Sequence, residues 1–224
     1  MSASAAAIVL NFAGLSATAT EEPLNYYNGG LGSDGSGPGP NYGITFPSNV
    51  ISANSNATGG CCNINEIPGG TGANAIYFLT GTADTMNVAG GFTTGFSFDY
   101  TAVNEGGSVT VWNGLDGTGT LLATLTLPTT PNDGNSGCGT DNFCPFEPFG
   151  VSFSGTAMSV NFGGTENQVA FADVTLGSSN PGGTATPEPA SLALLGVGLA
   201  GIGAIRRRRS RPGAPVVSTM RGES

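Results

Sequence analysis

Between residues 42 and 176 apolar and polar positions alternate with period two in short runs, and no apolar set recurs at helical spacing. Residues 92–100 put Phe96, Phe98 and Tyr100 on one face and Ser97 and Asp99 on the other. Residues 108–112 bring Val109 and Val111 together, and residues 121–127 set Leu121, Leu125 and Leu127 against Thr124 and Thr126. This is the pattern of strands with one buried face. Shorter strands are predicted at 42–46, 75–79, 85–88, 149–153 and 158–162. The run 168–176 is apolar on both faces apart from Asp173 and Thr175, which suits a central strand covered on both sides. Between 112 and 121, Asn113-Gly114 and Asp116-Gly117 supply positive φ for a hairpin connection. Eight to ten short strands without an intervening helix predict an all-β fold, a two-sheet β-sandwich of jelly-roll type.

The two ends of the chain have a different texture. Residues 1–19 form an apolar stretch closing on Ala17-Thr18-Ala19, a signal-peptidase pattern that predicts removal of residues 1–19 and Thr20 as the first mature residue. The positively charged start of such a leader is missing; the competing reading is a buried first strand. Residues 21–43 are turn-rich and read as loop. Gly, Ser, Asn and Pro make 177–186 a linker. Residues 190–205 are uncharged and mostly apolar, about 24 Å of helix at 1.5 Å per residue. Arg206, Arg207, Arg208 and Arg209 follow at once. The pattern predicts one transmembrane helix, with the arginines as a cytoplasmic stop signal and residues 20–176 outside the cytoplasm. Residues 210–224 read as a disordered tail.

Charge sharpens this topology. All six basic residues lie after position 205, and there is no histidine or lysine; residues 1–205 carry −14 and residues 206–224 carry +5. A body without cations does not bind nucleic acid, because it has nothing to exchange for phosphate counterions. Histidine-based acid/base chemistry, Schiff-base lysines, histidine metal sites and a P-loop lysine are excluded.

The C-terminal order Pro187-Glu188-Pro189, apolar run 190–205 and arginine cluster 206–209 resembles the PEP-CTERM sorting domain of bacterial surface proteins. The resemblance implies that Pro187, Glu188 and Pro189 are recognised by exosortase, a membrane cysteine protease that cleaves there. It implies an exported protein held in the inner membrane by its C-terminal helix, then released to the cell surface or beyond, in association with exopolysaccharide or biofilm. Proline's fixed φ keeps the tripeptide extended and outside the helix. That family usually ends at its arginines, whereas residues 210–224 continue here. The body, through stretches such as Gly43-Ile44-Thr45-Phe46 and Gly150-Val151-Ser152-Phe153, resembles the β-sandwich ectodomains often joined to this tail.

Candidate chemistry in the body is sparse. Cys61 and Cys62 are adjacent, a separation that disulfide geometry disfavours, so each is expected to bond to one of Cys138 and Cys144, in either connectivity. A zinc centre of all four thiolates lacks any Cys-x-x-Cys spacing. No cofactor is required. A structural Ca²⁺ is the metal to consider: in jelly-roll carbohydrate-binding modules it bridges the first strand and an Asp on the last, and by fold analogy Glu21, Glu22 and Asp173 match those positions. Asp173 stands out because a buried charge needs a partner. Carboxylate pairs such as Asp99 with Glu105, or Asp133 with Asp141, sit in no recognisable hydrolase context. Trp112, Tyr26 and Tyr27 are candidate sugar platforms, with core or cover as the plainer reading. The expected function is therefore a non-enzymatic surface or matrix protein. A carbohydrate-binding module for the cell's own polysaccharide is the runner-up, and a glycoside hydrolase comes third.

Overall fold

Strands of alternating character must bury one face, and here two sheets bury theirs against each other. The computed structural model describes residues 6–16, 20–54, 64, 66–70, 72–132, 138, 143–183 and 222. Its strands are β1 (Ile8–Leu10), β2 (Ile44–Thr45), β3 (Val50–Ala53), β4 (Ala75–Phe78), β5 (Ala83–Phe92), β6 (Gly95–Ala102), β7 (Gly107–Trp112), β8 (Leu121–Leu127), β9 (Glu147–Ser152), β10 (Ala157–Gly164) and β11 (Val169–Leu176). One sheet has the order β3-β4-β11-β6-β9, with β1 also paired to β11; the other has the order β2-β5-β10-β7-β8. All strand pairs are antiparallel. Counted from β4, the first, eighth, third and sixth strands share one sheet, and the second, seventh, fourth and fifth share the other. That is jelly-roll winding, as the alternation predicts.

The core lies between the sheets. Phe96, Phe98 and Phe171 of one sheet meet Phe162 of the other, all fully buried. Ring centroids are 5.3 Å apart for Phe98–Phe171 and 4.8 Å for Phe162–Phe171. Each such ring stabilises the fold by roughly 1.5–3 kcal/mol through burial, and each tilted pair adds about 0.5–1.5 kcal/mol.

The structure bears on three expectations. The apolar run near the N-terminus is a strand: β1 pairs Ile8 with Leu176 and Leu10 with Val174. Leu10, Phe12 and Leu15 are buried in the main core, so loss of residues 1–19 as a signal peptide would remove part of the fold. β-Branched residues extend along β11 where β4 stops, since β4 reaches β11 only at Phe171. The run 92–100 is not one strand. Phe92 ends β5 in one sheet, and the chain crosses through Thr93 and Thr94, the latter at φ 76°, to start β6 in the other. The folded unit also outlasts β11, running from Ala5 to Ala185. A second unit, Met1–Ser4 with Thr186–Ser224, lies outside the described residues apart from Gly222. The predicted transmembrane helix and the arginine cluster fall there.

Strand β3 is the other element that period-two reading misses. Its four residues are too few for a pattern, and it is made by its pairing to β4. The region 21–43 is loop, as expected, tied down by backbone hydrogen bonds such as Tyr26 N–H to Pro23 O and Asn28 N–H to Asn25 O.

Candidate functional site

The outer face of the β4-β11-β6-β9 layer carries most of the polar chemistry. Alternation along β6 turns Ser97, Asp99 and Thr101 away from the core. Gly150 of β9 lies opposite Ser97, and Pro148 opposite Asp99. Part of this face is covered by a second small apolar cluster. There Ala170 and Ala172 of β11 and Tyr77 of β4 pack with Ile64 and Phe143 from the loops.

Asp173 sits at a fault in β11. The pairing register with β6 shifts between Ala172 and Thr175, and Asp173 has φ 49°. Short polar residues tolerate this left-handed conformation better than branched ones. Burial pushes its carboxyl above the ordinary value. Asp99 is pushed up to about 6, by burial first and then by the charges of Asp173 and Glu147. These three acids are thus electrostatic neighbours, in a body with no lysine, arginine or histidine to balance them.

Glu21 and Glu22 are elsewhere. Glu21 is fully buried, and its carboxylate accepts the backbone N–H groups of Ser16, Asp34 and Ser36. The Glu22 N–H donates to Ser33 Oγ at 2.9 Å. The expected calcium trio therefore does not assemble: three backbone N–H groups engage the Glu21 carboxylate, while Asp173 faces Gly69 and Gly182. Among the described residues no three acids, cysteines or histidines stand together as a metal site. Asp99 is grouped with Asp173 and Glu147 and not with Glu105, whose carboxylate accepts from Thr165 Oγ. Asp133 and Asp141 lie outside the described residues.

The disulfide expectation is also corrected. Cys138 bonds to Cys144, with Cα atoms 5.6 Å apart. The short loop between them brings both within bridging range without help from another part of the chain. This bond removes the thiolates that a four-cysteine zinc centre would need. Cys61 and Cys62 lie outside the described residues.

The disulfide leads into a cleft of about 500 Å³ lined by Tyr100, Pro128, Thr129, Thr130, Pro131, Pro145, Glu147, Pro148 and Phe149. Tyr100 donates its hydroxyl to Pro128 O at 3.2 Å and meets Phe149 edge-on at 5.8 Å. Sequence reasoning missed this cleft, because its walls come from β6, β9 and the two loops flanking the disulfide. The expected sugar platforms have other roles. Tyr26 and Tyr27 are core residues, and Trp112 is half-buried with its indole N–H on Thr110 Oγ.

Past β11 the expected linker is partly ordered. Residues 177–183 fold back as a strap over the outer face. Gly177 N–H donates to Gly95 O at 2.9 Å, Thr94 Oγ donates to Gly177 O at 2.8 Å, and Ser97 Oγ donates to Ser178 O at 3.0 Å. Gly182 N–H closes the strap onto Thr175 Oγ at 3.0 Å.

Fold and strap together define a jelly-roll β-sandwich domain delivered, through a short ordered exit, into a C-terminal segment of different composition. Residues 185–209 match the PEP-CTERM protein-sorting motif, and the motif indicates an exported protein processed at the membrane by an exosortase. Pro187, Glu188, Pro189 and Arg206–209 all lie within the matched stretch, outside the described residues. No curated protein matches the chain. Among solved structures it is similar to the carbohydrate binding module CBM6cm-2 of Cellvibrio mixtus lichenase 5A in complex with cellotriose, at 14% identity and TM-score 0.34 over 58% of this chain and 86% of that one. It is also similar to a Bacillus subtilis family 43 arabinoxylan arabinofuranohydrolase in complex with cellotetraose, at 19% identity and TM-score 0.33 over 56% and 30%. A third is the C-terminal module of a Zobellia galactanivorans laminarinase, at 14% identity and TM-score 0.29 over 57% and 98%.

Proposed function

We propose that the protein is a non-enzymatic surface or extracellular-matrix protein. Its C-terminal helix holds it in the inner membrane with the β-sandwich outside the cytoplasm. Exosortase then cleaves at Pro187-Glu188-Pro189, and the domain passes to the cell surface or matrix in association with exopolysaccharide. The observation that carries this reading is the sorting motif, which begins where the folded unit ends at Ala185. Cleavage there costs the domain no strand and no core residue. The body's acidity supports the same direction, since a domain of −13 over residues 1–185, without cations, stays apart from anionic lipid headgroups once released. Replacing Pro187, Glu188 and Pro189 by alanine is expected to leave full-length protein in the membrane fraction, while the wild type yields a shorter exported form. An exported form whose mass still includes Arg206–209 would overturn the reading.

The cleft beside Tyr100 favours a second reading, a carbohydrate-binding module. Phe149 and four prolines offer apolar surface for sugar C–H groups, and Glu147 and Thr129 offer acceptors for hydroxyls. With no cation to meet an acidic sugar, the ligand would be a neutral or amino-sugar polymer. Retardation of the exported protein in gels containing such polymers, reduced by Glu147→Ala, supports it; unchanged mobility on all of them removes it.

A further inference from the structure

The two sheets use the polar side chains of their outer faces differently. On the first, the strap 177–183 takes up the hydroxyls of Thr94, Ser97 and Thr175, and a Cβ on Gly150 would overlap Ser179 O. On the sheet β2-β5-β10-β7-β8 the outward side chains stand in rows across the strands, set by register. Thr124, Thr110, Asn161 and Thr85 form one row, from β8 through β7 and β10 to β5. Thr126, Ser108, Gly163 and Ala83 form the next. On the other side of the first row lie Trp112, Ser159 and Asn87, and the β7–β8 hairpin folds down onto them. Gly117 N–H donates to Ser159 Oγ at 3.0 Å, and Asp116 N–H donates to Asn87 Oδ1 at 2.8 Å. In return Asn87 Nδ2 donates to Asp116 Oδ1 at 2.6 Å, and Ser159 Oγ donates to Gly114 O at 2.6 Å. The hairpin is thus pinned as a wall along one side of a polar floor. Trp112 sits at its foot, with the indole N–H on Thr110 Oγ at 2.9 Å.

The floor has an unusual chemistry for so acidic a domain. None of its residues is charged, and all but Gly163 and Ala83 carry a hydroxyl or an amide. Thr85, Ser108, Asn161, Thr124 and Thr126 are half-buried or exposed, and their side chains make no hydrogen bond among the described residues. Neighbouring strands stand about 4.8 Å apart, so each row offers a polar group at about the length of one pyranose ring. From β8 to β5 the span is about 14 Å, room for roughly three sugars.

Charge selects the occupant. An anionic polymer would meet a domain of −13 over residues 1–185 that has no cation to receive it. A cation finds no carboxylate on the floor, and the acid of the wall, Asp116, is already held by Asn87. A partner bound through apolar burial would have to cover hydroxyls and an amide without satisfying them, which is costly. A neutral, hydroxyl-rich chain satisfies them: each Thr or Ser hydroxyl donates and accepts, and the Asn161 amide does both. The apolar flank such a chain also needs is at hand in Trp112.

We propose that the outer face of the sheet β2-β5-β10-β7-β8 binds a neutral polysaccharide, which lies across the strands along the two rows and against the hairpin wall 113–120. This site shares no residue with the cleft beside Tyr100 and does not depend on it.

The test is calorimetric titration of the full-length protein in detergent micelles with neutral oligosaccharides of two to six sugars: β-1,4-glucan, β-1,3-glucan, α-1,4-glucan and β-1,4-N-acetylglucosamine series. At least one series is expected to bind, with affinity rising to about three sugars and then levelling, as the four-strand span requires. Trp112 is the single tryptophan of the chain, so its emission reports on the wall directly and is expected to shift at saturation. Ser108→Glu, which places a charge on the floor, should abolish binding, and Asn161→Ala with Thr124→Val should weaken it at least tenfold. Glu147→Ala, in the cleft, should leave it unchanged. If no series binds, the proposal is overturned. It is equally overturned if binding leaves Trp112 emission unmoved and survives Ser108→Glu; loss of that binding in Glu147→Ala would then assign it to the cleft.

Discussion

The two faces of the sheet β3-β4-β11-β6-β9 are built on opposite principles. The inner face is a close-packed set of rings, Phe96, Phe98 and Phe171 against Phe162, and its stability is dispersion and burial. The outer face carries Ser97, Asp99 and Thr101 from the same strand, with Phe143 beside the disulfide and a backbone strap laid over it. One residue of translation along β6 separates the two environments, because side chains alternate across a strand. The inner face therefore decides whether the chain folds. The outer face is where residues 177–183 run.

The contrast can be broken most severely at the N-terminus. Removing residues 1–19 takes Leu10, Phe12 and Leu15 out of the core and β1 off β11. At roughly 1.5–3 kcal/mol per buried side chain, the loss of three is about 4.5–9 kcal/mol, comparable to the whole stability of a domain. Urea unfolding of the truncated and complete domains measures it. N-terminal sequencing of the exported protein should accordingly find residues 8–10 retained.

A smaller effect comes from a buried acid on the inward face of β5. Asp84 of β5 is 1% exposed, and neither carboxylate oxygen has a hydrogen-bond partner among the described residues. Burial alone pushes its pKa up to about 7 from 3.8. The folded state thus holds this proton more tightly than the unfolded state. Its ionisation costs nothing below about pH 4, lowers stability progressively as pH rises from about 4 to 7, and costs its full amount above, on the order of 4 kcal/mol. Asp84→Asn should flatten that decline, leaving a variant more stable than wild type at pH 8 relative to their difference at pH 4. A wild-type stability that is level across pH 4–8 would contradict it.

The smallest effect sharpens the outer face. Asp99 is raised by burial and then by Asp173 and Glu147. In Asp173→Asn, carboxyl NMR titration should show the Asp99 value falling from about 6 while staying above the ordinary 3.8, because burial, the larger cause, is untouched. Asp84 should not respond, since no charge contributes to its shift.

Local periodicity made most of this fold legible. Strands β7 and β8 match the predicted runs closely, and β11 is the central strand that its two-sided apolarity implied. Strand β1 was hidden because an alanine-rich apolar run looks the same whether it is a leader or an edge partner. Only the unoccupied half of β11 distinguishes the two. The disulfide was misassigned because setting aside a Cys61–Cys62 bond sent each of them to Cys138 or Cys144, whereas Cys138 and Cys144, six residues apart, bond to each other. Glu21 and Asp173 did not come together for a related reason: positional analogy places Glu21 near a first strand, but cannot foresee three backbone N–H groups converging on it. The cleft and the strap left no periodic trace at all.

By itself, then, the sequence determined what depends on neighbours along the chain. That includes the alternation that makes strands, the absence of cations that excludes whole classes of chemistry, and the ordered string of tripeptide, apolar run and arginines that marks sorting. Tertiary structure alone decided what depends on residues meeting from distant positions: β1 against β11, Cys138 with Cys144, Glu21 on its backbone donors, and the strap over Gly95 and Gly150. The physical reason is range. Period and composition act over a few residues, whereas burial, register and hydrogen-bond partnership are settled only when the sheets close on each other.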